Sequence, residues 1–206
     1  MLSSHARLKA RESAKNGALP RQGYLAQLVA ECASPETAPA NKLQCLAHLA
    51  NFAYDPINFG HLLRLNVVDL FVDVLDEALQ AAAPADADSA AFMRLAMQGI
   101  CNVAGDPRFQ RLLFENDVLP LLLQATTQSD RATCAAAVAT LFFLLDAPAS
   151  VGSILTNPGT IPHVEACTAS ADVVVRQTAE AFMSRRQELG SGGGLSQQPH
   201  TVVTEE

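Results

Sequence analysis

Residues 41–77 read NKLQCLAHLANFAYDPINFGHLLRLNVVDLFVDVLDE, and the following part of the chain repeats this pattern imperfectly. A constant shift of 51 residues places Asn51 on Asn102 and Asp55 on Asp106. A third and less faithful copy follows about 41 residues later, within the period expected of helical repeats. The spacing therefore predicts a stack of similar helical units.

Each copy contains three predicted helices with a proline break after the first. A stripe of apolar residues predicts a long helix over 42–53: Leu43, Leu46, Leu49 and Ala50. The Asp55-Pro56 pair then ends one helix and begins the next, because Pro suits the first helical position and Asp caps exposed amides. A short helix over 58–65 follows, and we expect Asn66 to act as the N-cap of a further long helix.

The later copies give the same order of helices. The second copy predicts helices over 92–103 and 109–114 and a helix opened by Asp117, and the third predicts 131–145, 149–155 and a helix after Gly159. A loop insertion at 81–89, rich in Ala, Pro and Asp, accounts for the longer first spacing. A last helix is predicted over 173–188, and the chain divides into a flexible basic leader (1–20), a repeat domain (21–189) and a disordered Gly/Ser-rich tail (190–206).

The charge pattern argues against direct nucleic-acid binding by the repeats. The formal net charge is -7, although the leader and Arg21 together carry five basic residues and only Glu12 as an acid. The remaining chain is therefore strongly acidic and would repel a phosphate backbone. A basic arm of this kind could still touch a phosphate or an acidic protein.

The cysteines and hydrophobic runs indicate an intracellular protein. The five cysteines are widely spaced and form no CxxC pair, which favours buried reduced thiols over disulfides or a zinc module. The longest largely apolar run, 132–145, is too short to cross a bilayer. We therefore expect no membrane association. The leader has a composition compatible with a transit peptide, but a plain disordered tail fits its thin apolar face better.

The three-helix units resemble armadillo repeats. The resemblance rests on Asn51-Phe52-Ala53 and Cys101-Asn102-Val103 on the long helices and on the Gly-Thr-Ile-Pro run at 159–162. It implies an all-α, right-handed solenoid of about three repeats with helical caps. In peptide-binding armadillo proteins, an Asn at this position hydrogen-bonds the backbone of an extended partner, and Asn51 and Asn102 match it. The third equivalent position holds Phe143, so the Asn ladder is interrupted.

A closer resemblance is to the armadillo repeat-containing protein 7 family. It rests on NFAYDPIN at 51–58 and on the run from Leu62 to Glu77, together with Gly23-Tyr24-Leu25 before them. This resemblance implies a non-enzymatic scaffold of the minor, U12-type spliceosome. It would act with an RNA-recognition-motif protein near the capped 5′ end of a small nuclear RNA, contact that RNA mainly through its partner, and reside in the nucleus and also in the cytoplasm.

The candidate protein-binding residues cluster on the first two copies: Asn51, Tyr54, Asp55, His48, Asn102, Gln98, Arg94, Asp106 and Arg108. An Asn in an apolar helix face needs a hydrogen-bond partner, which is either the backbone of a bound protein or a carbonyl of an adjacent helix. Tyr54 suits an interface, or it packs over the Asp-Pro turn. His48 is a surface neighbour of Asn51, or it is a partly buried residue. The charged and amide residues extend the patch, or they are solvated surface.

Enzymatic chemistry finds little support in the sequence. It has no phosphate-binding Gly-rich loop, GxSxG elbow or HExxH motif, and its five histidines show no metal-ligand spacing. We therefore expect no catalytic residues, metal or cofactor. Two alternatives to the splicing role remain, a general armadillo adaptor and the regulatory subunit of an enzyme, either of which would bind a peptide or protein outside splicing.

Overall fold

A computed structural model describes residues 4, 6, 20–81, 87–148 and 150–192. The tail from residue 193 onward and the leader, apart from residues 4, 6 and 20, lie outside this set. All regular elements in the described part of the chain are helical. They are α1 Arg21–Ala33, α2 Pro39–Ala53, a 3-10 turn Pro56–Asn58, α3 Phe59–Arg64, α4 Val67–Gln80, α5 Ala87–Val103, α6 Pro107–Glu115, α7 Val118–Thr126, α8 Arg131–Leu144, α9 Val151–Thr156, α10 Thr160–Thr168 and α11 Val173–Gly192.

The long helices form two stacked layers. Helices α2, α5, α8 and α11 pack in succession and make the inner layer, whereas α1, α4, α7 and α10 make the outer layer. The short helices α3, α6 and α9 connect each inner helix to the next outer one. This order confirms the expected all-helical solenoid, while the number of about three repeats stays a prediction.

The Asp-Pro breaks form as the sequence predicts. The Asp55 side chain accepts a hydrogen bond from the backbone N–H of Ile57, with an O–N distance of 3.3 Å. In the second copy Asp106 accepts from the Arg108 N–H at 2.9 Å, and Pro107 is the first residue of α6. Each Asp therefore satisfies an otherwise unpaired amide at a helix start.

Asn66 and Asp117 directly precede α4 and α7, as predicted, but neither side chain caps its helix. Both residues have left-handed backbone conformations, with φ of 49° and 48°, and neither side chain makes a capping bond. An N-cap normally has extended backbone. Each of these residues instead follows the last turn of a short helix, where Asn and Asp tolerate the left-handed conformation that reverses the chain. Their shared backbone geometry marks the same turn in two copies.

Two predicted segment limits also shift. Helix α5 begins at Ala87, so the last three residues of the predicted 81–89 loop are helical, and residues 82–86 lie outside the described part. Helix α11 continues to Gly192 rather than ending near Glu188, so the first residues of the predicted tail belong to it. Small and polar residues remain compatible with a helix once its preceding turns are packed.

A polar side chain closes the end of each of the first three inner helices. Asn58 donates to the Phe52 carbonyl, Gln110 to the Ala104 carbonyl and Ser150 to the Leu144 carbonyl, each at 2.8 Å. In every case the acceptor lies six residues before the donor, and the donor residue is buried. The Phe52 and Leu144 carbonyls also accept a backbone N–H at 3.3 Å, whereas the Ala104 carbonyl has no backbone donor among the described residues. The side chains therefore add a second bond at two helix ends and supply the donor at the third.

The core between the layers is tightly packed around Phe71, which is 0% exposed. Its ring lies directly over Gly99 of α5, where a Cβ atom would come within 3.0 Å of three ring carbons. Only glycine allows α4 and α5 to approach this closely. This contact fixes the position of the inner helix that carries several predicted site residues.

Candidate functional site

The inner layer presents one exposed stripe on each of its helices. On α5, Arg94 and Gln98 are exposed and Asn102 is half-buried, and their spacing of four residues places them on one face. On α2 the stripe ends with the exposed Asn51 and continues into Tyr54. Because α2 and α5 are neighbours, these stripes form one surface, which we call the inner face.

Asn102 already has a partner inside the molecule. Its side-chain amide donates to the Ala50 carbonyl of α2 at 3.0 Å. That carbonyl lacks its usual helical donor, because the Tyr54 N–H donates to Asn51 instead. Asn102 therefore fits the interpretation in which the Asn satisfies an adjacent helix.

Asn51 occupies the matching position on α2 but has a different environment. It is exposed, and its side chain makes no hydrogen bond to any residue that the structure describes. The reason is positional, since α2 is the first inner helix in the described part of the chain. No preceding inner helix offers a carbonyl there, so the Asn51 amide keeps both its donor and its acceptor for another molecule.

Two aromatic side chains extend the exposed surface. Tyr54 is 62% exposed, just after the end of α2. Phe143, at the third equivalent of the Asn position, is 36% exposed and packs edge-on against Phe142. Aromatic residues with this exposure are typical binding anchors. The repeat alignment predicts only the loss of an Asn at Phe143. The aromatic side chain itself is the feature that indicates a binding position.

Arg94 and Gln98 are exposed polar residues of α5 whose side chains are available for binding. Neither side chain forms a hydrogen bond or ion pair with another described residue. Their stripe faces the same side as Asn102, one helix away from Asn51. Both are therefore placed to contact a molecule bound along the inner face.

His48 does not share this environment. Its ring Nδ1 lies 3.2 Å from the Tyr24 hydroxyl of α1, and the two rings meet edge-on. His48 and Asn51 are three residues apart on α2, but the His48 side chain turns toward the outer layer. His48 therefore belongs to the α1–α2 seam, where its role is packing against Tyr24.

Asp106 and Arg108 pair mainly with each other. The guanidinium of Arg108 donates to both carboxylate oxygens of Asp106, at 3.0 and 2.8 Å. This hydrogen bond lowers the pKa of Asp106 below its ordinary value, and the carboxylate raises the pKa of Arg108. Asp106 therefore stabilises the second Asp-Pro break through its capping bond and its pairing with Arg108. The Asp55 cap does the same at the first break.

A second polar cluster, which the sequence does not predict, surrounds Arg21. Arg21 donates to the Asn58 side-chain oxygen at 2.7 Å and stacks over the Phe52 ring, 5.3 Å from its centroid. Tyr24 meets the same ring edge-on. No local pattern in the sequence predicts this arrangement, because Arg21 lies 37 residues from Asn58. The cluster anchors the start of α1 to the end of α2.

Within the part of the chain that the structure describes, no group of three or more His, Cys, Asp or Glu side chains could hold a metal ion. None of the described helices has both the length and the apolar character of a membrane span. What the inner face does offer is hydrogen-bonding amides, a guanidinium and exposed rings, a combination suited to contacts with a macromolecule.

Comparison with known proteins shows which sequences and folds the chain resembles. No protein-family model matches the chain. A segment of 81 residues is 42% identical to armadillo repeat-containing protein 7 of Mus musculus, and it covers 39% of this chain and 35% of the mouse protein. The match thus spans about a third of that relative.

Solved structures match over much more of the chain. A computationally designed armadillo repeat protein for modular peptide recognition superposes with a TM-score of 0.65 at 18% identity, covering 88% of this chain and 69% of the design. A designed armadillo repeat protein in complex with the peptide (KR)4 also gives 0.65 at 18% identity, covering 79% of this chain and 64% of the design. On this evidence of fold, the chain is an all-helical armadillo-repeat solenoid.

Proposed function

We propose that this protein is a non-enzymatic interaction scaffold that binds a protein partner along the inner face. Solenoids of this kind use their extended concave surfaces for binding. The observation that carries the proposal is the contrast at one repeat position, where Asn102 is bonded internally and Asn51 is open. The open amide beside the exposed Tyr54 forms the centre of the site.

The chemistry of the inner face suits an extended stretch of partner chain. The Asn51 amide can donate to a backbone carbonyl and accept from a backbone N–H of the partner. Tyr54 offers a ring for an apolar side chain, and Arg94 and Gln98 lie one helix further along. The designed relative solved with (KR)4 binds a basic peptide. The unpaired Arg94 favours a partner segment with an acidic or neutral residue at the corresponding position.

We further propose that the partner is an RNA-recognition-motif protein of the minor spliceosome and that the complex acts in the nucleus. Support comes from the resemblance of residues 51–77 to the armadillo repeat-containing protein 7 family and from the partial match to its mouse member. The acidic charge of the repeats fits contact with small nuclear RNA through the partner rather than directly. A general adaptor outside splicing is the alternative outcome of the test.

The test is a tagged pull-down from nuclear extract, with the bound proteins identified by mass spectrometry and the bound RNA by sequencing. We expect an RNA-recognition-motif protein and a minor-class small nuclear RNA with the wild type. RNase treatment should release the RNA but not the partner. Partners unrelated to splicing would instead support the adaptor.

Variants then test the site separately from the function. Asn51→Ala combined with Tyr54→Ala should reduce partner recovery about tenfold or more, which is the loss expected for truncating central contacts. Asn41→Ala is the matched control, because it removes an exposed Asn from another face of the same helix. Full recovery with the double variant, folded by circular dichroism, would show that the partner binds elsewhere.

A further inference from the structure

Two buried thiols meet at the C-terminal end of the stack. Cys134 lies on α8 of the inner layer and Cys167 on α10 of the outer layer, with 3.8 Å between their sulfur atoms. They are 1% and 6% exposed. A disulfide bond is about 2.0 Å long, so forming it from 3.8 Å requires the sulfurs to approach each other by about 1.8 Å.

The pair borders a cavity instead of being sealed in the core. A space of about 400 Å³ is lined by both cysteines and by Arg131, His163 and Thr126. Cys167, the more exposed of the two, therefore faces a space large enough for a small polar oxidant. The other three described cysteines have no sulfur partner within hydrogen-bonding distance.

The surroundings distinguish the two sulfurs. Cys134 lies 3.1 Å from the Thr126 carbonyl, whereas Cys167 lies 3.9 Å from it. The hydrogen bond to Cys134 and the positive charge of Arg131 lower the pKa of Cys167, while burial opposes them. Cys167 is also the more exposed of the two residues, so it is the one that meets an oxidant first, and the thiolate is the reactive form.

We propose that Cys134 and Cys167 form a reversible oxidation site that closes to an intramolecular disulfide when the protein meets a hydroperoxide. This site is independent of the inner face and of its proposed partner. Nothing in the scaffold function requires the two thiols to be adjacent, since either alone would fill its place in the core.

The reaction balances with hydrogen peroxide as the oxidant. The Cys167 thiolate attacks one peroxide oxygen, an S–O bond forms, the O–O bond breaks, and hydroxide leaves and takes up a proton to become water. The Cys134 sulfur then attacks the Cys167 sulfur, the S–O bond breaks, and the departing hydroxyl takes the Cys134 proton as a second water. The two thiols lose two electrons, and the peroxide gains them.

The new bond would join the inner and outer layers. It would close a loop between residues 33 positions apart. Closing a loop of this size restricts the unfolded chain and raises the melting temperature by roughly 5–10 °C. Oxidation is therefore expected to stiffen the C-terminal units without a change in the fold.

The experiment oxidises the full native chain with a slight excess of hydrogen peroxide. Remaining thiols are then alkylated in denaturant, and the disulfide-linked peptides are mapped by mass spectrometry. We expect one dominant linked pair, Cys134 with Cys167, which dithiothreitol reverses. The linked pair should vanish when oxidation is performed in urea, where other pairings compete.

Variants give the matched controls. Cys101→Ala should keep both the linked pair and the rise in melting temperature, because Cys101 lies outside the pair. Cys167→Ala should lose both. Native wild-type protein that keeps Cys134 and Cys167 alkylatable, or that links either of them to another cysteine, would overturn the proposal whether or not Cys167→Ala folds.

Discussion

The first and second copies of the repeat carry different residues on either side of one shared Asn. The first copy has His48 and Tyr54 around Asn51, whereas the second has Gly99 and Gly105 around Asn102. In the second copy Gly99 and Asn102 serve packing, because Gly99 lies under the Phe71 ring and Asn102 bonds to Ala50. In the first copy Asn51 and Tyr54 are exposed.

The difference follows from place in the stack. An inner helix with a neighbour on each side must satisfy that neighbour's carbonyls and leave room for its side chains. Helix α2 has only one inner neighbour in the described part of the chain, so the same register position is released from this duty. Residues at the edge of a solenoid can therefore be selected for binding, as capping repeats generally face different demands from internal ones.

The sharpest way to break the comparison is to fill the space at Gly99. Gly99→Ala should lower the free energy of unfolding by roughly 2 kcal/mol, because the new methyl group overlaps a fully buried ring that cannot move freely. This figure is the net effect, because it already includes the gain of about 1 kcal/mol that Ala has over Gly in helix propensity. Urea unfolding followed by circular dichroism measures it.

Gly105→Ala is the matched control. No heavy atom lies within 4 Å of the added Cβ, and its stability should stay within about 0.5 kcal/mol of the wild type. Equal stability of both variants would show that α4 and α5 adjust to the added methyl group.

The buried amide that closes α5 gives the next largest effect. Gln110 donates to the Ala104 and Phe143 carbonyls at 2.8 and 3.1 Å. Gln110→Ala leaves the buried Ala104 carbonyl without its donor, whereas the Phe143 carbonyl still accepts from the Asp146 N–H at 3.2 Å. We expect a loss of about 1–3 kcal/mol in unfolding free energy. Gln98→Ala, the same substitution on the exposed inner face, should have little effect. A small cost at Gln110 would mean that water replaces the amide.

The two asparagines themselves provide the direct test of the comparison. Asn102→Ala should cost about 1 kcal/mol of stability, because the Ala50 carbonyl loses its donor. Asn51→Ala should leave stability within about 0.5 kcal/mol, since no internal bond is lost. Thermal and urea unfolding of both variants measure this difference. Similar losses at both positions would show that Asn51 also supports the fold.

The sequence carried most of the information on the fold. The repeated Asp-Pro pairs and the apolar stripes predicted the helices, because periodicity and proline act locally. Asn66 and Asp117 open helices where predicted, but the side-chain cap expected of Asn66 does not form. The same residue types favour an N-cap and a left-handed turn, and only the backbone decides between them.

The candidate site could be predicted only in part. The repeat register identified Asn51 and Asn102 as equivalents, but it could not show which of them bonds internally, because that depends on the neighbouring helix. His48 turned toward Tyr24 for the same reason. Asn58 and Gln110 perform one task from positions that the constant spacing does not align, so the sequence pattern alone did not reveal it.

The smallest expected effect concerns the ion pair between Asp106 and Arg108 at the second break. Arg108 lowers the pKa of Asp106 from its ordinary value of 3.8, so the folded state favours the carboxylate. A lowered pKa in the folded state stabilises the protein above the ordinary pKa, and this stabilisation is lost as the pH falls through the lowered value. Asp106→Asn keeps an N-capping side chain but removes the charge. The melting temperature of the wild type should therefore exceed that of the variant slightly at neutral pH, and the difference should shrink as the pH drops below 3.8. Because Arg108 is largely exposed, high salt should shrink the difference as well. A difference in melting temperature that persists unchanged in acid would show that the ion pair with Arg108 does not cause it. The role of Asp106 would then be its capping bond alone.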